Sequence, residues 1–586
     1  MTSVESGRPA VARRGRRVAT CTALALSAGM LLAAVPAHAD DNPAPHAPVE
    51  RAVPSVEDLR KPTLPRLRSD EPAADSPSFG AEIAVARPRS DVDGDGSSDL
   101  LHRAWDGQYW VSASGSADTY QYPLGNSSEM YKDAFSIAGL DPAAPDTPTH
   151  FTLSETGRLS SYASTPYGGD LVWSGTGWQQ FNKVFSPGDL TGDGVGDVLA
   201  RNPAGELFLY RAKGGTAVEP FAAKVNVGGG WGQYDQIVGV NDTNGDAIAD
   251  LFARNTAGEL YFYSGTGEPT RPFKERVKVG SGWNAYNQLF SWDDIDGDGL
   301  GDLVGRTQAG VLYLYVSTGT GALKPREEGG SGWNYVSQFA GSGNNPAWGK
   351  GELIGVDKSG VLYDYVVEND GTFSSRARIG EGWGGSRLSL TSSFDGDGFA
   401  DLIEVYEGTL YNYNDMAGDG VVGSGWGIYN SLVGPGDLSG DGKGDLIARD
   451  SAGVLWLYRG YGTGAGFASR TKIGSGWGQF SVLTGAGDVD GDGRADLIAR
   501  ATDGKLYLYS GTGVASSPFK AKKLIGSGWN TYNKLVAPGD MNGDGRGDLV
   551  GRNSDGNLYR YDANGRGGFN AKVLVGSGWN TYNGLF

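Results

Sequence analysis

A chain of 586 residues with 96 glycines and a formal net charge of −18 is long enough for several domains, and its acidic balance leaves no basic footprint for nucleic acid. Its one cysteine, Cys21, lies near the N-terminus, which excludes disulfides, thiol nucleophiles and cysteine metal ligands from everything after it. The glycines recur at fixed offsets, the mark of turn-dense repeats rather than low complexity.

In chain order, residues 1–39 read as a secretion signal. Arg13, Arg14, Arg16 and Arg17 precede a mostly apolar stretch, and Ala37-His38-Ala39 supplies a cleavage site before Asp40. The expected location is therefore extracellular, with the general and twin-arginine export routes both open. Residues 40–78 are rich in Pro, Ala, Asp and Glu without hydrophobic period and read as a disordered linker. No later stretch stays apolar for membrane-spanning length, so no transmembrane segment is expected.

From there a unit of about 50 residues recurs ten times, counted by a turn glycine at Gly107, Gly157, Gly205, Gly258, Gly310, Gly360, Gly408, Gly453, Gly504 and Gly556. Alternating strands such as Leu506-Tyr-Leu-Tyr509 follow these turns. Each unit has room for four short strands, which predicts an all-β chain of tandem β-propellers with four-stranded blades. Two five-bladed rings are expected, 79–340 and 341–586. The last Gly-Trp segment precedes a strand with no unit after it, and the first unit has no Gly-Trp ahead of it, so a C-terminal strand can complete an incomplete blade. A single ten-bladed ring is the alternative.

Eight units carry an acidic loop with oxygen ligands at positions 1, 3, 5 and 9. These are Asp91/Asp93/Asp95/Asp99, Asp189/Thr191/Asp193/Asp197, Asp242/Asn244/Asp246/Asp250 and Asp294/Asp296/Asp298/Asp302. They continue as Ser393/Asp395/Asp397/Asp401, Asp437/Ser439/Asp441/Asp445, Asp488/Asp490/Asp492/Asp496 and Asp540/Asn542/Asp544/Asp548. All-oxygen ligands around a bending glycine suit Ca²⁺, and no helix or position-12 glutamate marks an EF-hand. The ions are expected to be structural. Ser393 replaces the first aspartate and should weaken its loop. An arginine closes the following strand in seven of these units, at Arg103, Arg201, Arg254, Arg306, Arg449, Arg500 and Arg552. A supporting salt bridge or carbonyl contact and a ligand contact at a blade junction are both open.

The acidic loops resemble FG-GAP/VCBS repeats of secreted bacterial proteins. The Gly-x-Gly-Trp-x-x-Tyr/Phe segment with its Leu-Tyr-x-Tyr strand resembles tachylectin-2-type propellers, whose five blades bind N-acetylated sugars. The architecture also resembles the lectin subunits of bacterial umbrella toxin particles. These resemblances imply a glycan-binding surface. Its candidate platforms are Trp231, Trp283, Trp333, Trp426, Trp477, Trp529 and Trp579, with Asn284, Asn530 and Asn580 beside three of them; inter-blade core is the competing role for the tryptophans.

Catalysis has little to draw on. Only His102 and His150 lie beyond the leader and linker, and no nucleophile elbow, zinc spacing or phosphate loop is present. The expectation is a non-enzymatic, calcium-stabilised, multivalent lectin. A protein-interaction scaffold, such as a subunit of a secreted toxin complex, is the rival; a glycan-active enzyme is the third reading.

Overall fold

The computed structural model describes residues 86–114, 118–125, 131–215, 219–342, 350–413 and 420–586. The expected signal peptide and linker lie outside the described residues. Among the described residues the secondary structure is strand, interrupted by single-turn 3-10 helices, and no helix is long and apolar enough to cross a membrane.

Alternation in the sequence becomes alternation in space. In Leu260–Tyr263 the first and third residues are buried and the two tyrosines half-buried, and Leu312–Tyr315, Leu455–Tyr458 and Leu506–Tyr509 repeat this pattern of burial. The strands assemble into ten antiparallel four-stranded sheets. In most sheets the strands are consecutive: Tyr234–Gly239, Leu251–Asn255, Leu260–Tyr263 and Val277–Gly280 form one.

Two sheets break this order. Leu100–Ala104 pairs with Val336–Phe339, more than 200 residues downstream, through His102↔Phe339 and Arg103↔Gln338. Glu352–Asp357 pairs with the last strand of the chain, Tyr582–Leu585, through Gly355↔Leu585 and Val356↔Gly584. The sheets thus fall into two series of five, and in each series a late strand covers an edge that the first sheet would otherwise expose.

The core lies between neighbouring sheets. One cluster joins Phe185, Leu199 and Leu209 of one sheet to Trp231, Tyr234 and Leu251 of the next. No sheet can bury both faces alone, so each repeat is stable only against its neighbours.

Candidate functional site

Each acidic loop is built by its own backbone. In the ninth unit the first aspartate, Asp488, accepts N–H bonds from Gly491 and Gly493, both at 2.7 Å. Those glycines have φ of 81° and 82°, a conformation that costs a residue with a Cβ. Asp91, Asp189, Asp242, Asp294, Asp437 and Asp540 each accept from the same two positions of their own loops. The position-9 aspartate does a second job. Asp496 accepts from Val489 N at 3.0 Å and from Gly511 N at 2.9 Å, stapling the loop to the end of the third strand. Asp197, Asp302, Asp445 and Asp548 make the same pair of bonds, each with one donor fifteen residues further on.

In three loops the carboxylates converge. Asp91/Asp93/Asp99, Asp294/Asp296/Asp302 and Asp488/Asp490/Asp492 bring ligand atoms within 4.8 Å of one another and could hold a metal ion. Asp296 Oδ1 and Asp490 Oδ1 are buried without a hydrogen-bond partner, an arrangement a cation would satisfy. Burial, with the neighbouring carboxylates adding to it, pushes Asp197, Asp250 and Asp302 up to about 7 and Asp445 up to about 8. Lysines partly offset this crowding: Lys520 reaches Asp492 at 2.7 Å and Lys274 reaches Asp246 at 3.4 Å.

Other side chains read as ligands make local hydrogen bonds of their own. At position 5, Asp95, Asp193 and Asp441 are exposed, and each turns an oxygen to the N–H two residues on, at 2.8 Å from Ser97 and 3.1 Å from Val195 and Lys443. At position 3, Thr191 and Ser439 point their hydroxyls at the first aspartate of their own loops, at 3.5 Å from Asp189 and 3.2 Å from Asp437. Asn244 is oriented differently. Its amide nitrogen donates to Asp250 at 2.9 Å and to Ser264 Oγ at 3.1 Å. Asn542 does turn its oxygen inward, but to Asp544 N at 3.0 Å. In the seventh unit the Ser393 hydroxyl bonds Asp395 and Asp397 at 3.1 Å, where the other loops place a carboxylate. Asp401 of that loop is buried and accepts from Phe394 N at 2.6 Å, the stapling bond of position 9.

The Gly-x-Gly-Trp segment closes each sheet and leads into the next. The second glycine caps the 3-10 turn in the left-handed conformation, with φ 89° at Gly230 and 79° at Gly528. The first glycine makes room for the indole: a Cβ on Gly526 would sit 2.6 Å from Trp529 Nε1. The tryptophans pack between sheets. Trp231, Trp283, Trp426, Trp477, Trp529 and Trp579 are 7–9% exposed and Trp333 is fully buried. Except at Trp333, each of these indoles lies on a tyrosine of the sheet it leads into, with Trp283–Tyr315 at 4.5 Å and Trp529–Tyr561 at 4.6 Å between centroids. The structure therefore places these rings in the inter-sheet core. Asn284, Asn530 and Asn580 are exposed beside them.

The arginines take up the carbonyls of the same turn. Arg500 Nη1 donates to Trp529 O at 3.1 Å and Tyr532 O at 2.7 Å. Arg201, Arg254, Arg306, Arg449 and Arg552 do the same in their units. Of the two roles open from sequence, carbonyl support is the one seen, and it reaches forward into the next repeat. Arg103 differs, donating to Gly107 O at 3.0 Å.

One repeated feature was missed from sequence. Seven residues before Trp283 stands Arg276, whose guanidinium lies 4.4 Å from the Tyr261 ring centroid. Lys224, Arg326, Arg376, Arg470, Lys522 and Lys572 hold the same offset, each 4.1–4.6 Å from an aromatic ring. All seven cations are exposed and their aromatic partners half-buried. The seven-residue spacing from tryptophan was the available signal.

Ten four-stranded antiparallel sheets with repeated acidic loops fit a β-propeller-type repeat protein. The FG-GAP-like repeat family model matches residues 437–499 and 488–551, which are the eighth and ninth units with the start of the tenth. Comparison with curated proteins finds no match.

Proposed function

We propose that this chain is a secreted, calcium-stabilised, multivalent carbohydrate-binding protein made of two five-bladed rings. Two kinds of contact support the ring reading. In the first series polar side chains link successive inner strands: Gln236 to Asn287 O, Gln288 to Ser337 O, Gln338 to Lys132 O, and Asp133 to Val184 N, at 2.8–3.2 Å. Each series also has one cation reaching several of its sheets. Arg89 bonds Ser186 O, Gly239 O and Asp293, and Lys350 bonds Gly485 O and Ala537 O.

The observation that carries the binding reading is the repeated junction surface. A Gly-x-Gly-Trp turn and an exposed cation on a half-buried aromatic recur seven times. Weak sites repeated in this way gain avidity on a glycan-bearing surface. With the indoles largely packed, ligand contact falls to the turn, the asparagines and the cations. Ca²⁺ suits the three converged loops because their donors are carboxylate oxygens. The reading assigns no catalytic step.

A second reading, a protein-interaction scaffold, is favoured by apolar residues on outermost strands: Val277, Leu524 and Leu574 are 54–60% exposed. A glycan array with and without calcium, alongside pull-down from culture fluid, separates the two. Calcium-dependent glycan signal supports the first reading; no glycan signal together with a stable protein partner overturns it.

A further inference from the structure

The acidic loops of the second series face the first series. Asn182 donates to Asp492 O at 2.9 Å, Gln288 to Gly543 O at 3.1 Å and Arg306 to Gly543 O at 3.2 Å. Arg546, from the acidic loop of the tenth unit, reaches Asp235 at 2.6 Å, and Arg254 holds the same carboxylate at 2.7 Å.

Beside this junction is a cavity of about 350 Å³ lined by residues 235–308 of one series and 542–570 of the other, within the range of small-molecule sites. Its wall is almost wholly polar; Ala257, Ala285 and Tyr286 are the exceptions. Its lining carries three carboxylates, Asp235, Asp544 and Asp562, and three guanidiniums, Arg254, Arg546 and Arg566; Arg254 and Arg546 hold Asp235, Arg546 also holds Asp544, and Arg566 bonds Thr256. Asp235 and Arg254 have side chains only 7% and 3% exposed, so this wall is fixed rather than a mobile surface.

One lining residue is set differently from its repeat equivalents. Asn530 and Asn580 use their amides on the turn two residues before the counting glycine, bonding Thr502 O at 3.1 Å and Ser554 O at 2.8 Å. The matching carbonyl for Asn284 is Thr256 O, and Arg566 of the second series takes it at 2.6 Å. Arg566 also holds Thr256 Oγ1 at 3.1 Å. Docking of the two series thus gives the turn carbonyl to an arginine; the Asn284 side chain stays over Gly258 with its Oδ1 toward that glycine, and lines the cavity together with Asn564 and Asn570.

We propose that this cavity binds a neutral, hydroxyl-rich ligand of the saccharide class, in a site to which both series contribute. Amide donors and acceptors in the lining match hydroxyl groups, the balance of three carboxylates and three guanidiniums favours no net charge in the ligand, and the near absence of apolar lining disfavours an apolar one. The choice of saccharide rests on the carbohydrate-binding reading above. The position of the site does not follow from that reading alone, because it adds residues of the second series to the Trp283 turn and so occurs once.

Native mass spectrometry of the full chain with N-acetylglucosamine and unmodified hexoses tests this by counting bound saccharides. Asn284→Leu and Asn570→Leu alter exposed positions, and Glu268→Leu is the control at an exposed loop position outside both the cavity and the repeated turns; thermal melting verifies that all three fold. The expected result is one fewer saccharide per chain, or at least a tenfold weaker last equivalent, for the two cavity variants and not for the control. Unchanged stoichiometry in both cavity variants would overturn the cavity assignment and leave the lectin reading standing. Absence of any adduct on the parent chain would overturn both. A single adduct on the parent that both cavity variants lose would support the cavity and contradict multivalency.

Discussion

At the scale of single residues, the arginine that ends the second strand joins repeats rather than serving its own. Arg500 donates to two carbonyls of the following Gly-Trp turn, Tyr532 O and Trp529 O, the second of which also accepts the Tyr532 N–H that closes the 3-10 turn. Charge-assisted bonds of this kind contribute more than neutral ones. Arg500→Met should therefore cost on the order of 2 kcal/mol, read as a lower melting temperature both with and without calcium. Two buried histidines carry a pH dependence. Burial lowers His102 to about 4, and His150 to about 3, while the unfolded chain protonates near 6.5. Their contribution is intact above pH 6.5 and is lost as pH falls toward 4, because the unfolded state then binds protons that the native state refuses. The double variant His102→Gln/His150→Gln should show a shallower loss of melting temperature between pH 6.5 and 4.5; an unchanged slope would contradict this. These residues also show where sequence is silent. The arginine period is plain in the chain, but its acceptors lie about 30 residues on, and Thr256 and Arg566 meet across 310 positions. Only the folded chain brings them together.

At the scale of the element, the acidic loop divides its aspartates between two tasks. Position 9 staples the loop to the third strand through two N–H bonds, whereas position 3 leaves an acceptor without a partner. Asp496→Asn removes one of two anionic acceptors from a fully buried site and should destabilise the protein by about 1–3 kcal/mol with or without calcium. Asp490→Asn should lower the melting temperature in calcium, and be neutral or mildly stabilising in chelator, where it relieves like-charge crowding. Melting curves of both variants in each condition test this division; identical behaviour would contradict it. Much of the element was legible beforehand. The Leu-Tyr-Leu-Tyr alternation, the turn glycines and the loop spacing all reflect local geometry, and local geometry repeats with sequence. Spacing did not reveal which loop oxygens converge. Asp490 and Asn244 hold the same position, yet one leaves an oxygen unpartnered and the other presents its amide nitrogen to Asp250. The tryptophans were harder, because an aromatic at a fixed offset has the same spacing whether it faces a ligand or the neighbouring sheet. The structure places them against Tyr263, Tyr315, Tyr509 and Tyr561, and the exposed positions fall to cations that sequence reading passed over.

At the scale of the whole molecule, two late strands each cover the first sheet of their series. Removing residues 582–586 should expose the edge of Glu352–Asp357 and leave Leu353 without its packing against Leu585. Hydrogen exchange should then accelerate across the second series while Leu100–Ala104 keeps its protection; acceleration in both series would show that the two do not close independently. The same architecture underlies the functional reading. Repetition places equivalent surfaces at several sheet junctions, so a surface dense in glycan should hold the chain far more tightly than free sugar does, and loss of cations from the acidic loops should loosen the sheets that carry those surfaces. The most direct measurement is retention of the full chain on a glycan-coated sensor surface, in calcium and in chelator, compared with its affinity for the same sugar free in solution. The account predicts retention at least about a hundredfold tighter than the free-sugar affinity, falling sharply when calcium is removed. No retention on any glycan surface, or retention equal to the free-sugar affinity and unaffected by chelator, would contradict it.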